Sequence, residues 1–420
     1  MKLLDRRLKL ALFLLTACAI DVQAQSQSTS QIFSTPQVRR ALEYLKAIEP
    51  ETIDDQIRAC EIPAPTFQEQ KRAEHFKRRF AELGLKNVRI DAIGNVIGER
   101  PGVGRGPTLV LAAHLDTVFP EGTDVKVKRD GSILSGPGIG DDCRGLAVIL
   151  AVARALNEAR VETEGAILFV ANVGEEGLGD LRGVRRLFNH ELKGRITHFI
   201  SVDGTGLKVT NTAVGVVRYR VTIRGPGGHS YGAFGLASPI HALGRAIEKI
   251  ARFQVPKQPK TTFNVGRIEG GTSVNSIAHT AWMEVDMRSE SAEELQKLEA
   301  EFKRVTQEAL DEENARGAGP HKLTLEMKIV SQRPAGVTRA DSPIVKIAME
   351  ADAALGIKTK LTSGSTDSNI PINLGVPAIT IDGGGEGRGA HSLEESFDTT
   401  DSHLGTQRAL LIVLGIVGMK

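Results

Sequence analysis

Short apolar runs alternate with longer amphipathic runs through the first half of the chain. Runs of Leu, Val, Ile and Ala bounded by Gly, Pro or acidic residues are typical of buried strands, and they occur at residues 108–113, 166–172, 196–202 and, much later, 376–381. Helical spacing of apolar positions occurs at residues 38–48, 69–83 and 146–159. This alternation predicts an α/β domain built on a mostly parallel sheet.

The pattern changes near residue 214. Strand-like residues 216–223 are followed by an amphipathic helix at 238–253, strands at 263–268 and 280–287, a charged helix at 292–313 and a strand at 323–330. This β-α-β-β-α-β order is the ferredoxin-like pattern. Residues 333–336 form the return linker, after which helices at 344–355 and 406–417 complete the first domain. We therefore predict a first domain of residues 38–212 and 333–420, interrupted by an inserted domain of residues 213–332.

The first residues of the chain have the composition of an export signal. Four basic residues precede the apolar residues 10–20, and Val22-Gln23-Ala24 is similar to a signal peptidase site, so residues 1–24 are predicted to be a signal peptide. The apolar run is too short to span a membrane. An alternative is that residues 15–18 form a lipobox, which would leave a lipid anchor on Cys18. Either interpretation predicts an exported protein, periplasmic or secreted, and the Ser- and Gln-rich residues 25–37 then form a flexible terminus.

Charge and cysteine content exclude some classes of partner. Without residues 1–24, the chain has 49 basic and 49 acidic residues, so its net charge is zero. Nothing in this balance attracts nucleic acid or an anionic membrane surface, and aromatic residues, at 4%, are too few for base-stacking platforms. Cys60 and Cys143 are predicted to be free thiols, because Cys143 adjoins an acidic turn where a disulfide would be awkward.

Acidic residues and histidines follow the predicted strands. His114 and Asp116 come after the first run, and side chains two residues apart on a strand point the same way. The other candidates lie in glycine-containing segments or directly after a predicted strand, and they are Asp141 and Asp142, Glu175 and Glu176, Asp203 and His391. Ligands bind at the carboxyl ends of strands in open α/β sheets. Imidazole and carboxylate donors without thiolates favour zinc or a similar divalent ion in a hydrolytic site, and two cations would offset the repulsion between adjacent acids.

With these motifs in this order, residues 38–420 resemble a known family. It is the co-catalytic zinc family of peptidase T, carboxypeptidase G, aminoacylase-1, acetylornithine deacetylase and succinyl-diaminopimelate desuccinylase. The resemblance implies that one Zn²⁺ binds His114, Asp141 and Asp203, and that a second binds Asp141, Glu176 and His391. Co²⁺ or Mn²⁺ are possible substitutes. It also implies that Asp116 orients His114, that Glu175 is the general base, and that the peptide bond after Asp141 is cis.

The resemblance extends to the inserted domain, which it implies is a lid that also joins two subunits in a homodimer. His229, in the glycine-rich residues 224–230, matches a histidine that one subunit contributes to the active site of its partner, where it stabilises the transition state. Without the resemblance, His229 could be an incidental residue of a hairpin. Asn275 matches a substrate contact. Arg288 matches an arginine that holds a carboxylate, a task that suits its planar guanidinium, although a surface charge at a strand end is the alternative. Residues 364–367 resemble a loop near the substrate.

The implied chemistry is metal-assisted hydrolysis of an amide bond, with Glu175 acting first as base and then as acid. We predict an exported di-zinc exopeptidase that cleaves an amide next to a free terminus of a small peptide. One alternative is an amidohydrolase that removes the acyl group from N-acylated amino acids by the same mechanism. A second is a binding protein that kept the fold without the metals. Metal analysis distinguishes the binding protein from the enzymes, whereas the sequence does not separate aminopeptidase, carboxypeptidase and deacylase.

Overall fold

A computed structural model describes residues 28–420. The predicted signal peptide and Cys18 lie outside the described residues. The helices, in chain order, are α1 Thr29–Phe33, α2 Pro36–Ala47, α3 Glu49–Cys60, α4 Gln70–Glu82, α5 Cys143–Glu158, α6 Arg182–Arg186, α7 Pro239–Ala251, α8 Ala292–Arg316, α9 Pro343–Ala354, α10 Asn369–Asn373 and α11 His403–Val417. No helix in the described part of the chain is long and apolar enough to cross a membrane.

The strands are arranged in two main sheets and two small ones. In chain order they are β1 Lys86–Ile90, β2 Val96–Arg100, β3 Thr108–His114, β4 Lys128–Asp130, β5 Ile133–Ser135, β6 Ala166–Asn172, β7 His198–Val202, β8 Lys208–Ala213, β9 Gly215–Arg224, β10 Gly228–His229, β11 Thr261–Gly270, β12 Ser276–Ile277, β13 Thr280–Ser289, β14 Thr324–Arg333, β15 Gly336–Val337, β16 Lys360–Gly364, β17 Ala378–Ile381, β18 Glu386–Arg388 and β19 Ser396–Asp398.

The larger sheet has nine strands in the order β1-β2-β6-β3-β7-β17-β8-β15, with β16 also paired to β8. Its four central strands, β6, β3, β7 and β17, are mutually parallel, whereas β1, β2 and β15 pair antiparallel. Along β3, Leu109 and Leu111 pack into one apolar core, and Val110 and Ala112 pack into the core on the opposite face. Burial on both faces explains why this strand is a continuous apolar run. The mostly parallel α/β sheet is confirmed.

The second main sheet belongs to the inserted domain, predicted at residues 213–332; its first strand begins at Gly215 and its last strand ends at Arg333. Its elements follow the order β9-α7-β11-β13-α8-β14, and its four antiparallel strands lie in the order β11-β13-β9-β14. Helices α7 and α8 pack on one face, where alternate residues such as Val221 and Met283 join Ala246 and Phe302 in a core. The predicted ferredoxin-like pattern is therefore confirmed.

Four helices were not predicted, namely α1, α3 and the short helices α6 and α10. Helix α3 has no clear apolar stripe because its buried side chains include Thr52, Asp55 and Gln56, which form polar contacts inside the domain. Helix α1 lies within residues 25–37, which were expected to be flexible. In the structure, the Ser28 side chain caps this helix and Ile32 is buried, so the expectation does not hold from residue 28 onward.

Candidate metal centre

Three neighbouring parallel strands bring part of the site together. His114 is the last residue of β3, Asp203 directly follows β7, and the pair Glu175 and Glu176 comes shortly after β6. Because β6, β3 and β7 are adjacent and parallel, their carboxyl ends meet at one edge of the sheet. The side chains of all four residues therefore point into one region.

A small sheet delivers Asp141 and His391 to the same edge. Strand β5 ends just before the glycine-rich turn that carries Asp141, and β19 begins just after the loop that carries His391. The two strands pair antiparallel, with Ser135 opposite Ser396, so the turn and the loop lie side by side. The peptide bond between Asp141 and Asp142 is cis, as the resemblance implied.

The donor atoms form overlapping groups around Asp141. In each group, the imidazole nitrogens and carboxylate oxygens lie within 4.8 Å of one another; the groups are His114, Asp141 and Asp203, then Asp141, Glu176 and His391, and also His114, Glu175 and Glu176. Asp141 Oδ1 is 3.0 Å from His114 Nε2, and its Oδ2 is 3.0 Å from His391 Nε2. The two oxygens of Asp141 thus face two different histidines, the geometry that a shared ligand requires.

The electrostatics of the cluster fit a pair of cations. Burial and the charge of Asp141 raise the pKa of Asp203 to about 7. Hydrogen bonds with Asp141 and Glu176 raise the pKa of His391 to about 10. Burial alone would also raise the pKa of Asp141, but hydrogen bonds with His114 and His391 lower it. Divalent cations would relieve the repulsion among these buried acids and would compete with the protons on the histidines.

Asp116 orients His114 through its backbone carbonyl and not through its carboxylate. The Nδ1 of His114 donates to the backbone carbonyl of Asp116 at 2.9 Å, while the Asp116 carboxylate is 3.6 Å away. That carboxylate instead accepts hydrogen bonds from the backbone N–H groups of Glu175 (3.0 Å) and Glu176 (2.9 Å) and from the Thr66 hydroxyl (2.9 Å). Asp116 therefore fixes the imidazole through its main chain and the Glu175–Glu176 loop through its side chain. Neither contact uses His114 Nε2, which faces Asp141 Oδ1 among the candidate metal donors.

Glu395 is a buried residue of the site that the sequence did not reveal. Its carboxylate accepts hydrogen bonds from the backbone N–H groups of Gly138 (2.9 Å), Gly140 (2.8 Å) and Asp141 (3.0 Å). Burial raises the pKa of Glu395, and these three donors oppose the rise. Glu395 shares its loop with His391, so one side chain ties the His391 loop to the Asp141 turn.

We expect Glu395→Gln to weaken metal binding about 10- to 100-fold, the typical effect of losing a group that orients a ligand. The glutamine would direct an NH₂ group toward backbone donors that require an acceptor. Glu394→Gln is the matched control because Glu394 is exposed and its side chain has no such contacts in the described structure. Calorimetric titration of the metal-free proteins with Zn²⁺ measures the difference. Equal affinities for the two variants would show that Glu395 does not position the turn.

Arg333 is a second residue that the sequence analysis did not assign to the site. It ends β14, where only a linker was predicted, yet its side chain is buried and its Nη1 lies 2.9 Å from Glu175 Oε1. Its Nη2 also donates to the backbone carbonyl of Glu175. Burial raises the pKa of the Glu175 carboxyl well above its ordinary value, and Arg333 opposes that rise. The arginine thus holds a buried carboxylate in place and favours its ionised form.

A cleft of about 440 Å³ opens onto the cluster. Its lining includes the side chains of Asp141, Glu175, Glu176, Asp203 and His391, together with Arg218, Arg288 and Arg333. The expected carboxylate-binding residue Arg288 is therefore in the cleft. The loop at residues 364–366 also lines it, as expected.

His229 and Asn275 do not line this cleft. Both are exposed at one tip of the inserted domain, where β10 pairs with β12 and the Ser230 N–H donates to the Asn275 carbonyl at 2.9 Å. Large apolar side chains at the same tip are almost fully exposed: Tyr231 and Phe234 at 89% each and Val274 at 102%. The tip is therefore exposed and partly apolar, whereas the donor groups around Asp141 consist of charged and polar side chains.

Two relatives are similar to this chain over most of its length. Carboxypeptidase G2 of Pseudomonas sp. is 28% identical over 355 residues, covering 82% of this chain and 80% of the relative. Acetylornithine deacetylase of Myxococcus xanthus is 26% identical over 322 residues, covering 73% and 80%.

Solved structures share the fold. Aminopeptidase PepT from Bacillus cereus superposes with a TM-score of 0.71 at 22% identity, covering 88% of this chain and 99% of that chain. Human carnosine dipeptidase 1 gives a TM-score of 0.70 at 13% identity, covering 91% and 99%. The model of Peptidase family M20/M25/M40 matches residues 110–414, most of the chain, and the protein therefore belongs to this family of hydrolases that act on amide bonds.

Proposed function

We propose that this protein is a di-zinc exopeptidase that hydrolyses an amide bond next to a free terminus of a small peptide. The observation that carries the proposal is that Asp141 belongs to two donor groups, with the Glu175 carboxylate in the same cleft. His114, Asp141 and Asp203 would hold one ion, and Asp141, Glu176 and His391 the other. The mixed imidazole and carboxylate donors suit zinc, with Co²⁺ or Mn²⁺ as substitutes.

The chain's own residues have distinct tasks in this mechanism. When bound, the two ions supply Lewis acidity that polarises the amide carbonyl and makes water a stronger acid. Glu175 accepts a proton from the attacking water at its carboxylate and then donates it to the leaving nitrogen. Arg333 holds that carboxylate in position. Arg288 binds a carboxylate of the substrate through its guanidinium.

An amidohydrolase acting on N-acyl amino acids is the second candidate, since N-acetylcysteine deacetylase of Bacillus subtilis and acetylornithine deacetylase are among the relatives. A screen of zinc-loaded protein against dipeptides, tripeptides and N-acyl amino acids, with either terminus blocked, separates the candidates. We expect small peptides to be hydrolysed and the loss of one free terminus to abolish turnover. Hydrolysis of N-acyl amino acids alone would favour the deacylase. Absence of turnover on every compound, with two ions bound, would contradict both.

We further propose that the protein acts as a homodimer in which the tip of the inserted domain reaches the partner's cleft. The support is local: His229 and Asn275 lie together on this tip, among exposed apolar side chains of a kind that usually marks an interface. Strand β11 also forms a long edge of its sheet, and the unpaired N–H and C=O groups of such an edge can pair with another chain.

The dimer proposal predicts complementation between inactive chains. His229→Ala should lower kcat about 10²–10³-fold, the usual effect of removing one donor to a developing oxyanion, with little loss of metal. Mixing His229→Ala chains with Glu175→Gln chains should restore part of the activity, because one site of a mixed dimer has both residues intact. No recovery after confirmed subunit exchange would contradict the arrangement, as would a fully active monomer.

Export remains part of the proposal and rests on residues 1–24 and their predicted cleavage after Ala24. Mass spectrometry of the protein recovered from a bacterial periplasm would test it. A mature chain that begins at Gln25 supports simple cleavage, whereas a lipid-modified Cys18 at the N-terminus supports anchoring. A full-length chain retained in the cytoplasm would contradict export.

A further inference from the structure

The helix-free face of the inserted domain carries an unusual pattern of arginines. Helices α7 and α8 cover the face on which Val217 and Val285 are buried, so the alternate residues of β9 and β13 point to the other face. There, Asp286 contacts Arg218 and Arg288, and Glu284 contacts Arg220 and Arg267. Four guanidinium groups share two carboxylates, which leaves two positive charges in this cluster.

One of these pairs lies in the catalytic cleft. Arg218 and Arg288 both line it, beside the donors of the metal centre. Arg218 Nε donates to Asp286 Oδ1 at 2.7 Å, and Arg288 Nε donates to Asp286 Oδ2 at 2.8 Å, with its Nη2 3.4 Å from Oδ1. Because both arginines contact the same oxygen, the two guanidinium groups are neighbours.

Arg218 is also fixed to the loop of the metal centre. Its Nη1 donates to the carbonyl of Gly177 at 3.2 Å, and Gly177 directly follows Glu176. Among the described residues, Nη2 of Arg218 and Nη1 of Arg288 have no hydrogen-bond partner. Each arginine is therefore oriented by the protein and retains a free nitrogen that can donate to a ligand in the cleft.

We propose that Arg218 and Arg288 form a two-guanidinium subsite for substrates whose released residue is a dicarboxylic amino acid. This inference rests on the proposed function and specifies its substrate class. Arg288 would bind the α-carboxylate, and Arg218 the side-chain carboxylate of a glutamate or aspartate residue. A substrate with a neutral side chain leaves the second guanidinium without its charged partner, which weakens binding.

Pairs of substrates that differ only in side-chain charge test the subsite. N-acetylglutamate is compared with N-acetylglutamine, and Ala-Glu with Ala-Gln, using zinc-loaded protein. For the wild type, we expect kcat/KM to favour the acidic member of a hydrolysed pair by roughly 10- to 100-fold, as expected for one charged hydrogen bond. Arg218→Gln should bring this ratio close to one, and Arg218→Lys should give an intermediate ratio because it keeps the charge without the planar guanidinium.

Arg220→Gln is the matched control. Arg220 lies on the same strand and face and is paired with Glu284, but it does not line the cleft. We expect it to retain the wild-type ratio. Equal kcat/KM for acidic and neutral substrates in the wild type would overturn the proposal. An equal fold-decrease of kcat/KM for the acidic and the neutral substrate in Arg218→Gln would also overturn it, since both arginines would then bind the same carboxylate.

A binding measurement keeps this test separate from that of the proposed function. Calorimetry with glutarate and butyrate, on zinc-loaded Glu175→Gln protein, compares a dicarboxylate with a monocarboxylate without any turnover. We expect glutarate to bind at least tenfold more tightly, and Arg218→Gln in the same background to remove the difference. If no substrate is hydrolysed but glutarate is preferred, the proposed function fails and the subsite stands. If substrates are hydrolysed without preference for an acidic side chain and glutarate is not preferred over butyrate, the subsite proposal fails and the proposed function stands.

Discussion

Glu175→Gln should retain two metal ions per chain while losing several orders of magnitude in kcat. General acid–base catalysis by one side chain typically contributes about 10²–10⁴ in rate, and an amide cannot accept the proton that Glu175 would take. The structure makes this outcome informative, because Glu175 also belongs to a possible donor group with His114 and Glu176. Its Oε1 lies 2.9 Å from Arg333 Nη1, so one oxygen of this carboxylate is already engaged in a buried ion pair.

Steady-state kinetics combined with metal analysis of the same preparation measures both quantities. Glu176→Gln is the matched comparison. It makes the same carboxylate-to-amide change at the neighbouring residue and should weaken the binding of one metal ion. Loss of a metal ion from Glu175→Gln, at a level similar to Glu176→Gln, would show that Glu175 is a ligand and would overturn its assignment as the base.

Asp141→Ala should abolish the binding of both metal ions, whereas Asp203→Ala should weaken mainly the binding of one. The two oxygens of Asp141 face His114 and His391 separately, so removal of this carboxylate takes a donor from both groups at once. Asp203 belongs only to the group formed with His114 and Asp141. Activity should fall below detection in Asp141→Ala because neither group keeps three donors from its expected set.

Native mass spectrometry or calorimetric titration counts the ions in each variant. The expected result is near-complete loss of both ions in Asp141→Ala and retention of one in Asp203→Ala. Equal losses in the two variants would contradict the role of Asp141 as the shared ligand.

Residues at strand ends were predictable because the sheet itself brings them together. His114, Glu176 and Asp203 follow apolar runs whose burial is evident from composition, and parallel strands place their carboxyl ends at one edge. The predicted pattern of the inserted domain was equally regular, with apolar residues on the face that packs against its helices. Element boundaries shifted by a few residues, as helix ends commonly do.

The missed residues depend on contacts between distant segments. Glu395 acts through backbone N–H groups more than 250 residues earlier in the chain, which become its partners only when β5 pairs with β19. Arg333 reaches Glu175 across the junction of the two sheets, and Arg218 becomes part of the cleft through its contact with Gly177. Local spacing carries no information on such partners.

Asp116 shows a related limit. Its position two residues after His114 suggested that its carboxylate would orient the imidazole. The carboxylate has stronger partners in the backbone N–H groups of Glu175 and Glu176, and the carbonyl of Asp116 takes the imidazole N–H instead. Competition between partners in a buried site decided the geometry, and the spacing of the two residues was compatible with either outcome.

The most direct test of the account is to restore activity to metal-free protein by titration with Zn²⁺. The chain is stripped with a chelator, and hydrolysis of the best substrate from the peptide and N-acyl amino acid screen is followed as ions are added. The account predicts no turnover without metal and full turnover only when two ions are bound per chain. Full turnover by the metal-free protein, or saturation of activity with one ion per chain, would contradict it.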